Sequence, residues 1–244
     1  LNFAQTSGQS VTFTATNGNI SFSDSSDTIE TSGGSIVMSA GGTLSVGAMK
    51  TNGGDITLAG TDFNLSGALN AGVGTLTILG GSGETIGLDG TTASTTASTV
   101  STICNGTACG LTLVQSELSD ISAAKLVIGD SSSGNMYIDG VTLSHISGGV
   151  TLNSSGSNGS VEFGTGGATI KLATINAGNG ITINGDVSAQ SAIFNADYDA
   201  NGTGTFTIAS GYDITSTDNQ SISITANDID IYSLATISSG TGST

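Results

Sequence analysis

A 20-residue period constrains this chain more than any other feature. Residues 47–60 (Gly-Ala-Met-Lys-Thr-Asn-Gly-Gly-Asp-Ile-Thr-Leu-Ala-Gly) align with residues 67–80 (Gly-Ala-Leu-Asn-Ala-Gly-Val-Gly-Thr-Leu-Thr-Ile-Leu-Gly) at an offset of 20. Met49 falls on Leu69, Ile56 on Leu76 and Leu58 on Ile78, while Ile36 and Met38 lie 20 residues earlier in the same register. Inside each unit, aliphatic residues alternate with Thr or Ser, and Gly-rich breaks follow, as in Ser35-Ile36-Val37-Met38, Asp55-Ile56-Thr57-Leu58 and Thr75-Leu76-Thr77-Ile78. Alternation with period two is the mark of a strand with one buried face. A strand this short cannot bury that face alone, but stacked copies bury a continuous core and form a parallel ladder. An antiparallel sandwich or barrel also has many short strands, yet its hairpins would not keep like residues on like residues at a fixed offset.

The expected fold is therefore all-β, a right-handed parallel β-helix of about 20 residues per coil. Strand-like segments continue downstream at residues 125–129, 136–140, 149–152, 160–164, 180–185, 205–208, 221–224 and 228–231. At that period the chain makes roughly 12 coils, or ~60 Å of rod at ~4.8 Å per strand. A helical stripe is suggested once, between Gln115 and Lys125, where Val114, Leu118 and Ile121 have helical spacing. We expect one domain over residues 1–244, with a Ser/Thr-rich loop insertion near 81–110. Within it, 91–98 is a low-complexity run that would protrude from the rod. Leu1-Asn2-Phe3 has no signal-peptide character, so the chain reads as a mature or excised segment of a longer protein.

Composition narrows the partners. The 244 residues include 38 Gly, no Pro and no Trp, and carry a formal net charge of −16 with only three basic side chains, Lys50, Lys125 and Lys171. At 36% hydrophobic residues the chain can bury a core, unlike a disordered acidic chain. Nucleic-acid binding needs many cations to displace counterions along the phosphates, and three scattered lysines do not supply them. Anionic membrane surfaces are disfavoured for the same reason, and no apolar run approaches the ~20 residues of a membrane span. The expected partners are other copies of the chain or neighbouring segments of a fibre, with no nucleic acid and no membrane insertion.

The segments around Gly34 to Gly80 resemble the repeats of filamentous-haemagglutinin-type bacterial exoproteins. The run from Leu111 to Gly129, which leads to Gly134-Asn135-Met136-Tyr137-Ile138-Asp139-Gly140, is similar to a recurring segment of giant surface adhesins of that kind. The resemblance is one of pattern over most of the chain and is weaker in residues 81–110. It implies a structural or adhesive shaft of a secreted bacterial surface fibre, at the cell surface or outside the cell. It implies a shaft segment, not the export signal or the effector tip.

Few residues suggest chemistry. Asp197-Tyr198-Asp199-Ala200-Asn201-Gly202 resembles the opening of a calcium loop, with oxygen ligands Asp197, Asp199 and Asn201 at alternate positions and a turning Gly. Position twelve is Ile208 where such a loop has a bidentate Glu, so the alternative is an ordinary acidic turn. No cofactor is required, and calcium is the one candidate. Cys104 and Cys109 flank an Asn-Gly turn, which suits either a disulfide-closed loop in an oxidising compartment or two free thiols. Zinc would need two further ligands beyond them.

The alternative function is a β-helix carbohydrate-active enzyme, a polysaccharide lyase or glycoside hydrolase, because this fold hosts many. Against it, the chain has no Arg, and its sole histidine, His145, sits in no recognisable catalytic motif. An ice-binding solenoid would need a regular Thr lattice, whereas outward positions here vary among Thr, Asp, Glu, Tyr and Ser.

Overall fold

The computed structural model describes residues 2–5, 8–22, 24, 26–90 and 103–240. Every strand pair in it is parallel, and the chain winds as a solenoid with three faces. The first face stacks Asn2–Gln5, Thr28–Thr31, Ala48–Lys50, Leu69–Asn70 and Ile121–Ser122. The second starts at Val11–Ala15 and passes through Ile36–Ala40, Ile56–Ala59, Thr75–Leu79, Lys125–Ile128 and Val150–Ser154. The third face begins as Ile20–Ser21, Thr43–Val46 and Asp62–Leu65, and continues as a seven-stranded sheet ending at Asp228–Ile231.

In the C-terminal half the first two faces merge. Ala168–Ala177 and Val187–Asn195 run through the corner without a turn, so their first halves pair on the first face and their second halves on the second. Along the second face, nine strands lie in register from Val11–Ala15 to Ile222–Thr225. At ~4.8 Å per level that stack is ~40 Å long. It is shorter than a uniform 20-residue coil predicts. Offsets of 20 hold from Ile36 to Ile56 to Leu76, whereas the step from Ala192 to Ile222 spans 30 residues.

The inside is an aliphatic ladder. Ile36, Ile56, Leu76 and Leu126 stack as fully buried neighbours, as do Met38, Leu58, Ile78 and Ile128. In the C-terminal half, Phe194 packs with its ring centroid 6.4 Å from Phe163 and 5.4 Å from Phe206. Burial at ~25 cal/mol per Å² of apolar surface is the main stabilising term of such a core.

The repeat is set by its corner between the first and second faces. Thr31 and Thr51 are buried there and donate their hydroxyls to the carbonyls of Gly34 and Gly54. Gly34, Gly54 and Gly74 stack so closely that a Cβ at Gly54 would sit 2.5 Å from the Gly34 carbonyl oxygen, and one at Gly74 would sit 2.4 Å from that of Gly54. Strand starts are secured by side chains from the coil before. Asp55 accepts from the Thr75 amide at 2.7 Å, Asn19 from Thr43 at 2.9 Å and Asp186 from Asp213 at 2.9 Å.

Two local expectations change. The helix covers only Gln115–Ser119, because Ile121, although in helical spacing, pairs with Leu69 on the first face. The insertion does not begin at 81: Ile86–Asp89 is an ordinary strand paired with Leu111–Val114 on one side and Met136–Asp139 on the other. The expected protruding run at 91–98 lies outside the described residues.

Candidate functional site

The strand order at the insertion departs from chain order. Leu111–Val114 is placed before Ile86–Asp89 in the stack, although it comes later in sequence. Its other side faces Asp62–Leu65. The contact there is made by carboxylates: Asp62 accepts from the Thr112 amide, and Glu117 accepts from Leu65 at 3.1 Å and Val114 at 3.0 Å.

This seam gathers acid without a cation. Burial, reinforced by the charges of Asp62 and Asp120, pushes the Glu117 carboxyl up despite its two amide donors. Burial also raises Asp62, and burial with the Asp62 charge raises Glu84. One Glu84 oxygen is buried without a hydrogen-bond partner among the described residues. Among the described residues no group of three or more His, Cys, Asp or Glu side chains is placed to hold a metal ion.

The predicted calcium residues do come together. Asp197 accepts from the Asn201 and Gly202 amides, both at 3.1 Å, and the Asn201 side chain donates to Asp199 at 2.8 Å. The Asn201 carbonyl oxygen in turn accepts from the Thr203 amide at 2.9 Å. All three side chains thus serve to turn the loop between Val187–Asn195 and Thr205–Ile208, with Ala200 in the left-handed region at φ 54°.

Cys104 and Cys109 form a disulfide that closes a loop of 5-residue separation. The loop folds against the outer side of Ile86–Asp89, where a Cβ at Gly87 would lie 2.3 Å from the Cys109 sulfur. Gly87 is therefore the residue that lets the loop return to the sheet. His145 is exposed in the turn after Val141–Leu143 and has no side-chain hydrogen bond among the described residues.

The uninterrupted long strands create a crease of about 380 Å³ across their shared corner. Ser144, Thr169, Lys171, Ser188, Gln190 and Asp218 line it, with Gln190 donating to Asp218 at 2.6 Å. It offers hydroxyls, one ammonium and one carboxylate, groups suited to hydrogen-bonding a polar ligand. No strand-like segment is read at 168–177 from the sequence; in the structure a slip in alternation at Lys171 and Leu172, both half-buried, marks the corner.

Among the described residues, no coil covers the inward side chains of the last one. Ile229, Ile231 and Ile237 are 48%, 51% and 38% exposed, although they continue the columns of Phe206, Ile208 and Ile214. At the other end Phe3 is 36% exposed and packs edge-on against Phe13. Comparison with known proteins yields no match among family models, curated proteins or solved structures.

Proposed function

We propose that this chain is a shaft segment of a secreted bacterial surface fibre, with a structural and adhesive role rather than a catalytic one. The observation that carries the reading is the columnar core, which repeats the same inward aliphatic positions in register through nine parallel levels. A stack of that kind can be extended by a further coil, whether from the same chain or from a second copy joined end to end. Unpaired strand edges on the terminal coils supply hydrogen-bonding groups for the same junction.

Two further features support the reading. The Cys104–Cys109 disulfide suits an oxidising location outside the cytoplasm. A charge of −16 keeps rods apart in solution. Electron microscopy of the protein in its native source tests the proposal. Rods with the ~4.8 Å axial repeat of stacked strands are expected, and compact particles that turn over a polysaccharide would refute it.

A further inference from the structure

The second face stands apart from the rest of this acidic surface. Each of its nine strands presents three outward positions. The central column runs from Thr12 to Ser223 and carries Thr, Val or Ile at every level between. The hydroxyls of Thr57, Thr77, Thr151 and Thr174 have no partner among the described residues. Across all three columns the charged residues are Asp55 and Lys125, both exposed.

These two charges are related in a particular way. Asp55, Thr75 and Lys125 occupy the same column on consecutive strands, with Thr75 between the two ions. Two levels separate the charges by ~10 Å, too far for an ion pair within one chain. Consider a two-fold axis lying in the plane of the face, along the strand that carries Thr75. It sets the level before Thr75 in one copy opposite the level after it in the other. Asp55 then meets Lys125 of the second copy, and Lys125 meets its Asp55.

We infer that the second face binds a second copy of this chain, face to face and antiparallel, about an axis at Thr75. Three arguments support this occupant. A molecule of net charge −16 tends to repel its own copies, whereas this face meets its copy with no like charges opposed. The two ions are self-complementary only under a two-fold relation, which is the symmetry of an isologous dimer. The columns of β-branched side chains have the same axial spacing in both copies, so under this axis they meet level for level across the interface. Seven overlapping levels, ~34 Å by ~17 Å, give about 1,100 Å² of total buried surface, just above the ~1,000 Å² of a specific interface. The association is lateral and does not depend on the end-to-end reading.

Sedimentation across a concentration series at physiological salt tests it. The expected species is a closed dimer that does not grow beyond two copies and is unaffected by Ile231→Asp at the open end. Lys125→Glu and Asp55→Lys should each weaken it roughly tenfold by setting like charges opposite one another. The exchanged variant Asp55→Lys/Lys125→Asp should restore it, a recovery that loss of folding cannot mimic. Val127→Arg, in the central column, should abolish it. A monomer at every concentration, or an exchanged variant no tighter than the single ones, would overturn the inference. So would a monomer that adsorbs through this face to ice or to an insoluble neutral polysaccharide, with Val127→Arg blocking adsorption.

Discussion

The side chain of Gln115 stands in for a β-strand beside Thr142. Its carbonyl oxygen accepts from the Thr142 amide at 2.7 Å, and its amide donates to the Thr142 carbonyl at 3.0 Å. The short helix Gln115–Ser119 occupies the edge where the first face would otherwise continue, and one carboxamide satisfies both backbone groups there. Gln115→Ala removes both partners. It should cost about 1–2 kcal/mol and accelerate amide exchange at Thr142 more than at Leu152, whose strand has neighbours on both sides.

The glycine stack at the repeat corner gives a second expectation. A methyl at Gly54 meets the Gly34 carbonyl oxygen at 2.5 Å, a backbone atom held by its own ladder. Gly54→Ala should therefore destabilise the chain by about 3 kcal/mol. Gly18, with nothing within 4 Å of an added Cβ and no positive φ, should accept Ala with a change of about 0.5 kcal/mol or less. Denaturant unfolding of the two variants measures the difference.

The disulfide should contribute about 2 kcal/mol by shortening the unfolded chain's loop entropy. Cys104→Ser/Cys109→Ser should lower the denaturation midpoint accordingly, with a loss in exchange protection centred on Ile86–Asp89, the strand its loop covers. Protection at the distant Ile36–Ala40 strand should fall less.

The carboxylate seam sets the pH dependence. Burial raises Glu117, Asp62 and Glu84 above the ordinary carboxylate range, and the charged groups facing them across the seam are one another and Asp120. A carboxyl raised by folding binds its proton more tightly in the folded state. Its stabilising contribution is then fully present below its unfolded value and is lost as pH rises through the folded one. Thermal stability should increase on acidification from about pH 7 towards about pH 4. Glu117→Gln, which imitates the protonated acid, should flatten that slope. Asp130 behaves oppositely: burial raises it, but hydrogen bonds from Ser132 and Ser133 outweigh that and hold it low. Its contribution fails only in stronger acid.

How much of this was legible in the sequence depended on whether the signal was periodic. Met49 over Leu69 and Ile56 over Leu76 are ladder partners in the structure, because a parallel stack repeats the same environment at each level. The strand at Leu111–Val114 carries the same alternating pattern as Ile86–Asp89, and nothing local specifies which of them lies nearer Asp62–Leu65. That order is decided by carboxylates reaching across from Asp62 and Glu117, contacts between residues up to 52 apart. Of the third-face strands, Thr43–Val46 and Asp62–Leu65 were missed because each follows the preceding second-face strand after only two residues, Gly41-Gly42 and Gly60-Thr61. Asp197, Asp199 and Asn201 stand out in sequence by their alternate spacing, whereas the hydrogen bonds that tie them into a loop are invisible in one dimension.

The two isoleucines of one inward column separate the core from the open end. Ile208 is fully buried beneath Ile231, while Ile231 is 51% exposed, with no coil over it among the described residues. Ile208→Ala should cost 2–5 kcal/mol, in the range for a buried aliphatic truncation, and Ile231→Ala about 1 kcal/mol or less. The second figure holds for the isolated chain. If the terminal coil is a junction, Ile231 becomes a core residue once the junction forms, and Ile231→Asp then buries an unpaired carboxylate. That variant should keep the unfolding midpoint of the isolated chain while shortening or abolishing rods seen by electron microscopy. Equal rod lengths for Ile231→Asp and the unaltered chain would place the junction elsewhere.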